Sequence, residues 1–148
     1  MSAWAAQRPA PAKGAIFDVS WWRYWTVDPG KATEDGRVVF LDPSAMLGAR
    51  WLDSWDMAFK ATDDSDFVVG QRWARLGGNR YLVAQQRGRW SFTQSLAKMK
   101  LWAVTDNPGT SLCGHLVHQR LVEDKANGTA ILDVLHDQIA GLKAVNPT

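Results

Sequence analysis

The 148-residue chain is 46% hydrophobic and balances 17 Lys and Arg against 15 Asp and Glu, a formal net charge of +2. That length and apolar content suit about one ordinary domain with its own core, and so slight a charge neither demands nor excludes nucleic acid. A single cysteine, Cys113, excludes an internal disulfide framework and suits a reducing cytoplasm, and no apolar run approaches the ~20 residues of a membrane span.

Residues 1–14 are rich in Ala and Pro without a sustained period, the pattern of a flexible leader. Residues 16–27 (IFDVSWWRYWTV) concentrate aromatic rings, a surface that would face a neighbour rather than water. Pro29, Gly30, Asp35 and Gly36 then break the chain. Pro29-Gly30-Lys31-Ala32-Thr33 brushes against a phosphate-binding loop, but Trp25 stands where the upstream glycine is required and Ala32 follows the lysine, so it reads as a turn. From Arg50 the pattern alternates. Residues 50–59 predict a strand with Trp51, Trp55, Met57 and Phe59 on one face and Leu52, Ser54, Asp56 and Ala58 on the other. Residues 67–75 and 80–86 predict two more strands, joined by the turn Leu76-Gly77-Gly78-Asn79. Residues 91–104 carry apolar side chains at helical spacing, with Ser91 as N-cap and Asn107-Pro108-Gly109 as a stop. A fourth strand over 115–122, a helix over 129–139 ended by Gly141, and a short strand over 142–145 complete the order. The sequence β-β-β-α-β-α-β predicts an α/β fold whose three leading strands are antiparallel, followed by crossovers to parallel ones.

Three carboxylate groups invite attention. Asp56 stands in an otherwise apolar strand, where burial of a charge is costly unless it is paired or metal-bound; its alternative is a solvent-facing edge position. Asp63, Asp64 and Asp66 follow the strand, and in a surface turn such residues serve as solvated or capping groups. Glu123 and Asp124 end the fourth strand, where they either converge with Asp56 or cap the helix beginning near Gly128-Thr129. Carboxylates brought together by adjacent strands supply the hard oxygen ligands that Mg²⁺ or Mn²⁺ takes.

Several words of the sequence, taken in order, resemble the nuclease domain of phage terminase large subunits. They are Ser54-Trp55-Asp56-Met57-Ala58-Phe59-Lys60, Asp66-Phe67, Arg80-Tyr81-Leu82-Val83, Arg87-Gly88-Arg89-Trp90 and Leu121-Val122-Glu123-Asp124-Lys125-Ala126-Asn127-Gly128. Trp22-Arg23-Tyr24-Trp25 looks like the connection to that family's ATPase domain, so the resemblance divides the chain into a leader (1–14), a linker segment (15–49) and a partial nuclease domain (50–148). It implies a ribonuclease H-like fold and an endonuclease that cuts concatemeric viral DNA by two-metal hydrolysis, with Mg²⁺ or Mn²⁺ as cofactor. By the same resemblance Asp56 is the first metal ligand, Glu123 or Asp124 the second, and Asp66 an accessory carboxylate. Lys60, Lys125, Arg87 and Arg89 are the DNA-contacting candidates. The implied partners are double-stranded DNA, a terminase ATPase domain, the small terminase subunit and the portal, in the cytoplasm of an infected bacterial host.

The chain departs from that family in two ways. It has no phosphate-binding loop, and the family's third aspartate, in a later His-Asp-Asp motif, has no counterpart before Thr148. His136-Asp137 precedes the corresponding position and reads as a surface pair on a helix, so a C-terminally incomplete nuclease with a poorly held second ion is expected. A catalytically dead DNA-binding or assembly fragment is the rival reading, and another ribonuclease H-like enzyme, such as a junction resolvase, the third. Cys113, His115 and His118 lack a fourth ligand and the facing that zinc needs. Arg72, Arg75, Arg80, Arg87 and Arg89, interleaved with Trp73, Tyr81 and Trp90, suit either a DNA backbone or a solvated antiparallel face.

Overall fold

The computed structural model describes residues 18–57, 67–105, 116–123 and 128–146. The chain forms two compact units, Met1–Phe40 and Leu41–Thr148. In the first, strands β1 (Tyr24–Thr26) and β2 (Val38–Phe40) pair in parallel. Two single 3-10 turns, Val19–Trp21 and Pro29–Lys31, are each opened by an aspartate, Asp18 and Asp28, that accepts the backbone N–H two residues on. Pro29-Gly30-Lys31 is therefore an Asx-capped turn, as its residues predict. Hydrogen bonds from the Ser20 amide hold the Asp18 carboxyl below its usual range, and the Thr33 hydroxyl followed by the Arg37 amide does the same for Asp35. Trp21, Trp22 and Tyr24 are more than half exposed.

The second unit is built on strand β3 (Arg50–Asp56), whose alternation decides everything around it. Trp51, Asp53 and Trp55 are buried and the residues between them are half-open. Strands β4 (Val68–Leu76) and β5 (Asn79–Gly88) continue antiparallel from β3, and β6 (Gln119–Glu123) and β7 (Leu142–Val145) add in parallel on the other side. The strand order is β5-β4-β3-β6-β7. This is the mixed sheet that the sequence predicts, three antiparallel strands followed by parallel ones. Gly70 faces Trp55 across the β3–β4 pair, and a Cβ there would meet the indole at 2.7 Å, so glycine is what lets the ring lie flat against the strand.

Helix α1 (Pro43–Met46) precedes the sheet, and its Met46 carbonyl accepts the Trp51 indole N–H at 3.1 Å. Helix α2 (Phe92–Val104) starts with a capping box: the Ser91 hydroxyl accepts the Gln94 amide, and the Gln94 side chain accepts the Ser91 amide. Helix α3 (Gly128–Leu135) is shorter than the predicted 129–139 because the Leu135 carbonyl accepts from both Gln138 and Ile139, tightening the last turn. Gly141, at φ 73°, then turns the chain into β7, and a Cβ there would strike the His118 carbonyl. Strand β6 begins later than the predicted residue 115, since Arg120 draws in the Val117 carbonyl and the chain enters the sheet only at Gln119. Both α2 and α3 pack on one face, where Trp55, Met57, Val68, Met99, Val122, Ile131, Leu135 and Ile139 form a single core. Trp102 meets Trp55 edge-on, with ring centroids 6.2 Å apart.

Within this apolar face lies an ionic cluster. Asp53 pairs in register with Arg72 on β4 and Arg120 on β6. Its carboxylate accepts Nε of Arg72 at 2.7 Å and Nη2 at 3.0 Å, a bidentate contact, and Nε of Arg120 lies 3.6 Å away. All three residues are at most 5% exposed. The two guanidiniums carry one charge more than the carboxylate. They direct it at carbonyls of Trp102, Ala103 and Thr105 at the end of α2, and of Val117 and Ala140. The end of a helix carries partial negative charge, so α2 is capped by the same groups that lock the strands. Burial lowers the Arg120 pKa from its ordinary value, Asp53 works against that shift, and the nearby Arg72 adds to it.

Removing the carboxylate would strand two buried cations. Asp53→Asn is expected to lower unfolding stability by about 3–5 kcal/mol in urea denaturation, against about 1 kcal/mol for the cap variant Ser91→Ala. Equal small losses would mean that the cluster is not what holds the strands.

Candidate functional site

Apart from the buried Asp53–Arg72–Arg120 cluster, the charged residues of the central strands lie on the face of the sheet opposite the core. Asp56 is the last residue of β3 and Glu123 the last of β6. The parallel register runs Asp53 beside Arg120, Ser54 beside Leu121 and Trp55 beside Val122, so the next step sets Asp56 beside Glu123. Neighbouring strands are ~4.8 Å apart, which brings both side chains to one edge of one face. The row continues outward on both sides: Val69 on β4 is opposite Asp56, Arg87 on β5 is opposite Val69, and Val145 on β7 is opposite Glu123. A cavity of about 240 Å³ opens there, lined by Ser54, Trp55, Asp56, Leu121, Glu123 and Val145.

The position of Asp56 corrects the expectation of a buried carboxylate. It is exposed, because β3 ends there and its parity puts Asp56 on the open face with Ser54 and Leu52. The buried carboxylate of this strand is Asp53, three residues earlier and on the other face. Arg72 also departs from the basic cluster expected on the hairpin: it is 1% exposed and engaged with Asp53. Arg87 and Arg89 are exposed as expected, and both guanidiniums lie over the Phe67 ring, 3.6 and 4.9 Å from its centroid. Asp66, Asp124, Lys60 and Lys125 fall outside the described residues, as do Asp63, Asp64, Cys113 and His115. His136 and Asp137 form an exposed surface pair, 3.0 Å apart, after the end of α3.

The two carboxylates and the Ser54 hydroxyl line the same cavity, and hard oxygen donors of this kind are the type that Mg²⁺ or Mn²⁺ takes. Among the described residues no group of three or more His, Cys, Asp or Glu side chains is arranged to hold a metal. The residues that sequence reasoning overlooked are Asp53 and Arg120. Their signal was present: Asp53 shares the parity of Trp51 and Trp55, so a charge there had to be buried.

The fold is an α/β unit with a five-stranded mixed sheet, its described helices α2 and α3 on the core face, and a two-carboxylate edge on the other. No family model matches the sequence, nor does any curated protein. Among solved structures, the large terminase of a thermophilic bacteriophage is similar to this chain with a TM-score of 0.49 and 10% identity, over 67% of this chain and 23% of the terminase. A Ppx/GppA family member from Aquifex aeolicus has a TM-score of 0.39 and 10% identity, over 67% of this chain and 36% of its own. The chain thus spans well under half of either neighbour, and neither lends it an activity. No helix among the described residues is long and apolar enough to cross a membrane.

A cation held by Asp56 and Glu123 should stabilise the folded chain by mass action. Saturating Mn²⁺ is expected to raise the melting temperature by a few degrees. Asp56→Asn should remove that rise, and Asp137→Asn should leave it intact. If both variants lost it equally, the metal would sit elsewhere.

Proposed function

We propose that this chain is a metal-dependent DNA endonuclease module of the kind found in phage terminases. The observation that carries the reading is the pairing of Asp56 and Glu123 at the ends of adjacent parallel strands, on the same face and in the same row as Arg87. In open α/β sheets the carboxyl ends of parallel strands are where ligands collect. Asp56 and Glu123 would hold the cation, with Asp66 and Asp124 as further ligands. A divalent ion there would supply charge to the phosphodiester and a more acidic bound water. Arg87 and Arg89, fixed by Phe67, would take the DNA backbone on the β5 side, with Lys60 and Lys125 as further phosphate contacts. The ring-rich Trp21, Trp22 and Tyr24 would meet an ATPase domain, and the small terminase subunit and portal would be the other partners in a host cytoplasm.

Plasmid DNA incubated with the chain and Mn²⁺ tests this directly. Nicking or linearisation that disappears with Asp56→Asn or Glu123→Gln supports the nuclease. A second reading, a DNA-binding fragment without chemistry, rests on the small number of converging carboxylates among the described residues. DNA retention with no cleavage under any divalent metal would establish that reading and sink the first.

A further inference from the structure

The open face of the sheet ends, on the side away from Asp56 and Glu123, in a row of arginines. Arg50 on β3 pairs in register with Arg75 on β4, and Arg75 pairs with Arg80 on β5. Residues directly opposite share a face, so three cationic side chains from three neighbouring strands stand side by side. All three are exposed. Among the described residues no carboxylate forms an ion pair with any of them. Like charges set directly opposite across strands are destabilising. A bound anion would relieve that repulsion.

The row borders a cavity of about 490 Å³, whose lining also includes Leu52, Trp73 and Gln119 and no acidic residue. Trp73 lies on the next rung inward, directly opposite Leu52 on β3 and Leu82 on β5. Its indole N–H donates to the Gln71 side chain at 3.1 Å, which fixes the ring in a half-buried position. The cavity combines a charged rim with an aromatic and aliphatic floor, in the volume range of small-ligand pockets.

We infer that this end of the sheet binds a nucleoside phosphate. The arginine row takes the phosphate oxygens, since planar guanidinium forks match phosphate geometry. The base lies against Trp73 and Leu52, because every base offers a π face to an aromatic ring. An acidic peptide would satisfy the arginines but would leave the indole without a planar partner. The nucleoside phosphate can be a free nucleotide or one unit of a single strand. The arginine row and the carboxylate edge are the two ends of β3, Arg50 and Asp56 about 20 Å apart along the strand, and Ser54 between them lines both cavities.

Isothermal titration of the full chain with adenosine diphosphate, inorganic pyrophosphate and a single-stranded oligothymidylate tests the inference. The diphosphate or the oligonucleotide should bind, and whichever binds more tightly identifies the source. Pyrophosphate should bind more weakly than adenosine diphosphate, because it has no base. Arg75→Gln should weaken binding about tenfold or more, the worth of about one charge-assisted hydrogen bond. The same change should raise the melting temperature of the ligand-free protein by relieving the charge row. Asp137→Asn, on the exposed surface after α3, should change neither result. Absence of binding by both nucleotide ligands, pyrophosphate binding as tightly as the diphosphate, or unchanged affinity in Arg75→Gln would each overturn it.

Discussion

Asp53 sits at the centre of the sheet between two arginines, and the register of the strands around it follows from that placement. Its carboxylate joins β3 to β4 through Arg72 and faces Arg120 on β6. A slip of one residue in either pair would turn a charge toward the open face and leave its partner buried alone. Such clusters are poor sources of net stability, since desolvation offsets most of the attraction. What they supply is a single permitted alignment. Arg72 and Arg120 extend the constraint to α2 by leaving no freedom in its last turn: the carbonyls of Trp102, Ala103 and Thr105 are all taken.

The candidate site inherits that alignment. Asp56 is three residues beyond Asp53, and Glu123 is three beyond Arg120, on strands that run in the same direction. Three steps along a strand also reverse the facing, so the buried ionic pair on one side becomes a carboxylate pair on the other. The core face and the open face therefore carry different work. One is filled by α2, α3 and the large apolar side chains. The other holds carboxylates at one end of the strands, arginines at the opposite end, and Trp73 and Leu52 beside the arginines.

Much of this was readable from residue order. Alternation from Trp51 to Met57 gave the central strand and its facing, Gly77-Gly78 gave the hairpin, and Ser91 with Gln94 gave the start of α2. The final strand, with Gly141 before it, was equally plain. Asp56 drew attention as a charge in an apolar run, but parity assigns burial to Asp53, and only the pairing of three strands reveals why a charge is tolerated there. Arg72 and Arg120 look like ordinary surface cations until β4 and β6 are known to flank β3. The β1–β2 pair was not legible, because strands of three residues carry too little pattern to distinguish from a turn-rich segment.

The Asp53 cluster sets Asp56 and Glu123 side by side, and under the proposed function the two carboxylates would hold a divalent cation. Amide NMR with substoichiometric Mn²⁺ locates such an ion, because paramagnetic broadening falls steeply with distance. Resonances of Trp55, Asp56, Val122 and Glu123 should broaden first, while those of Arg50, Arg75 and Arg80 persist. Broadening centred on His136 and Asp137, or at the arginine end, would contradict the account.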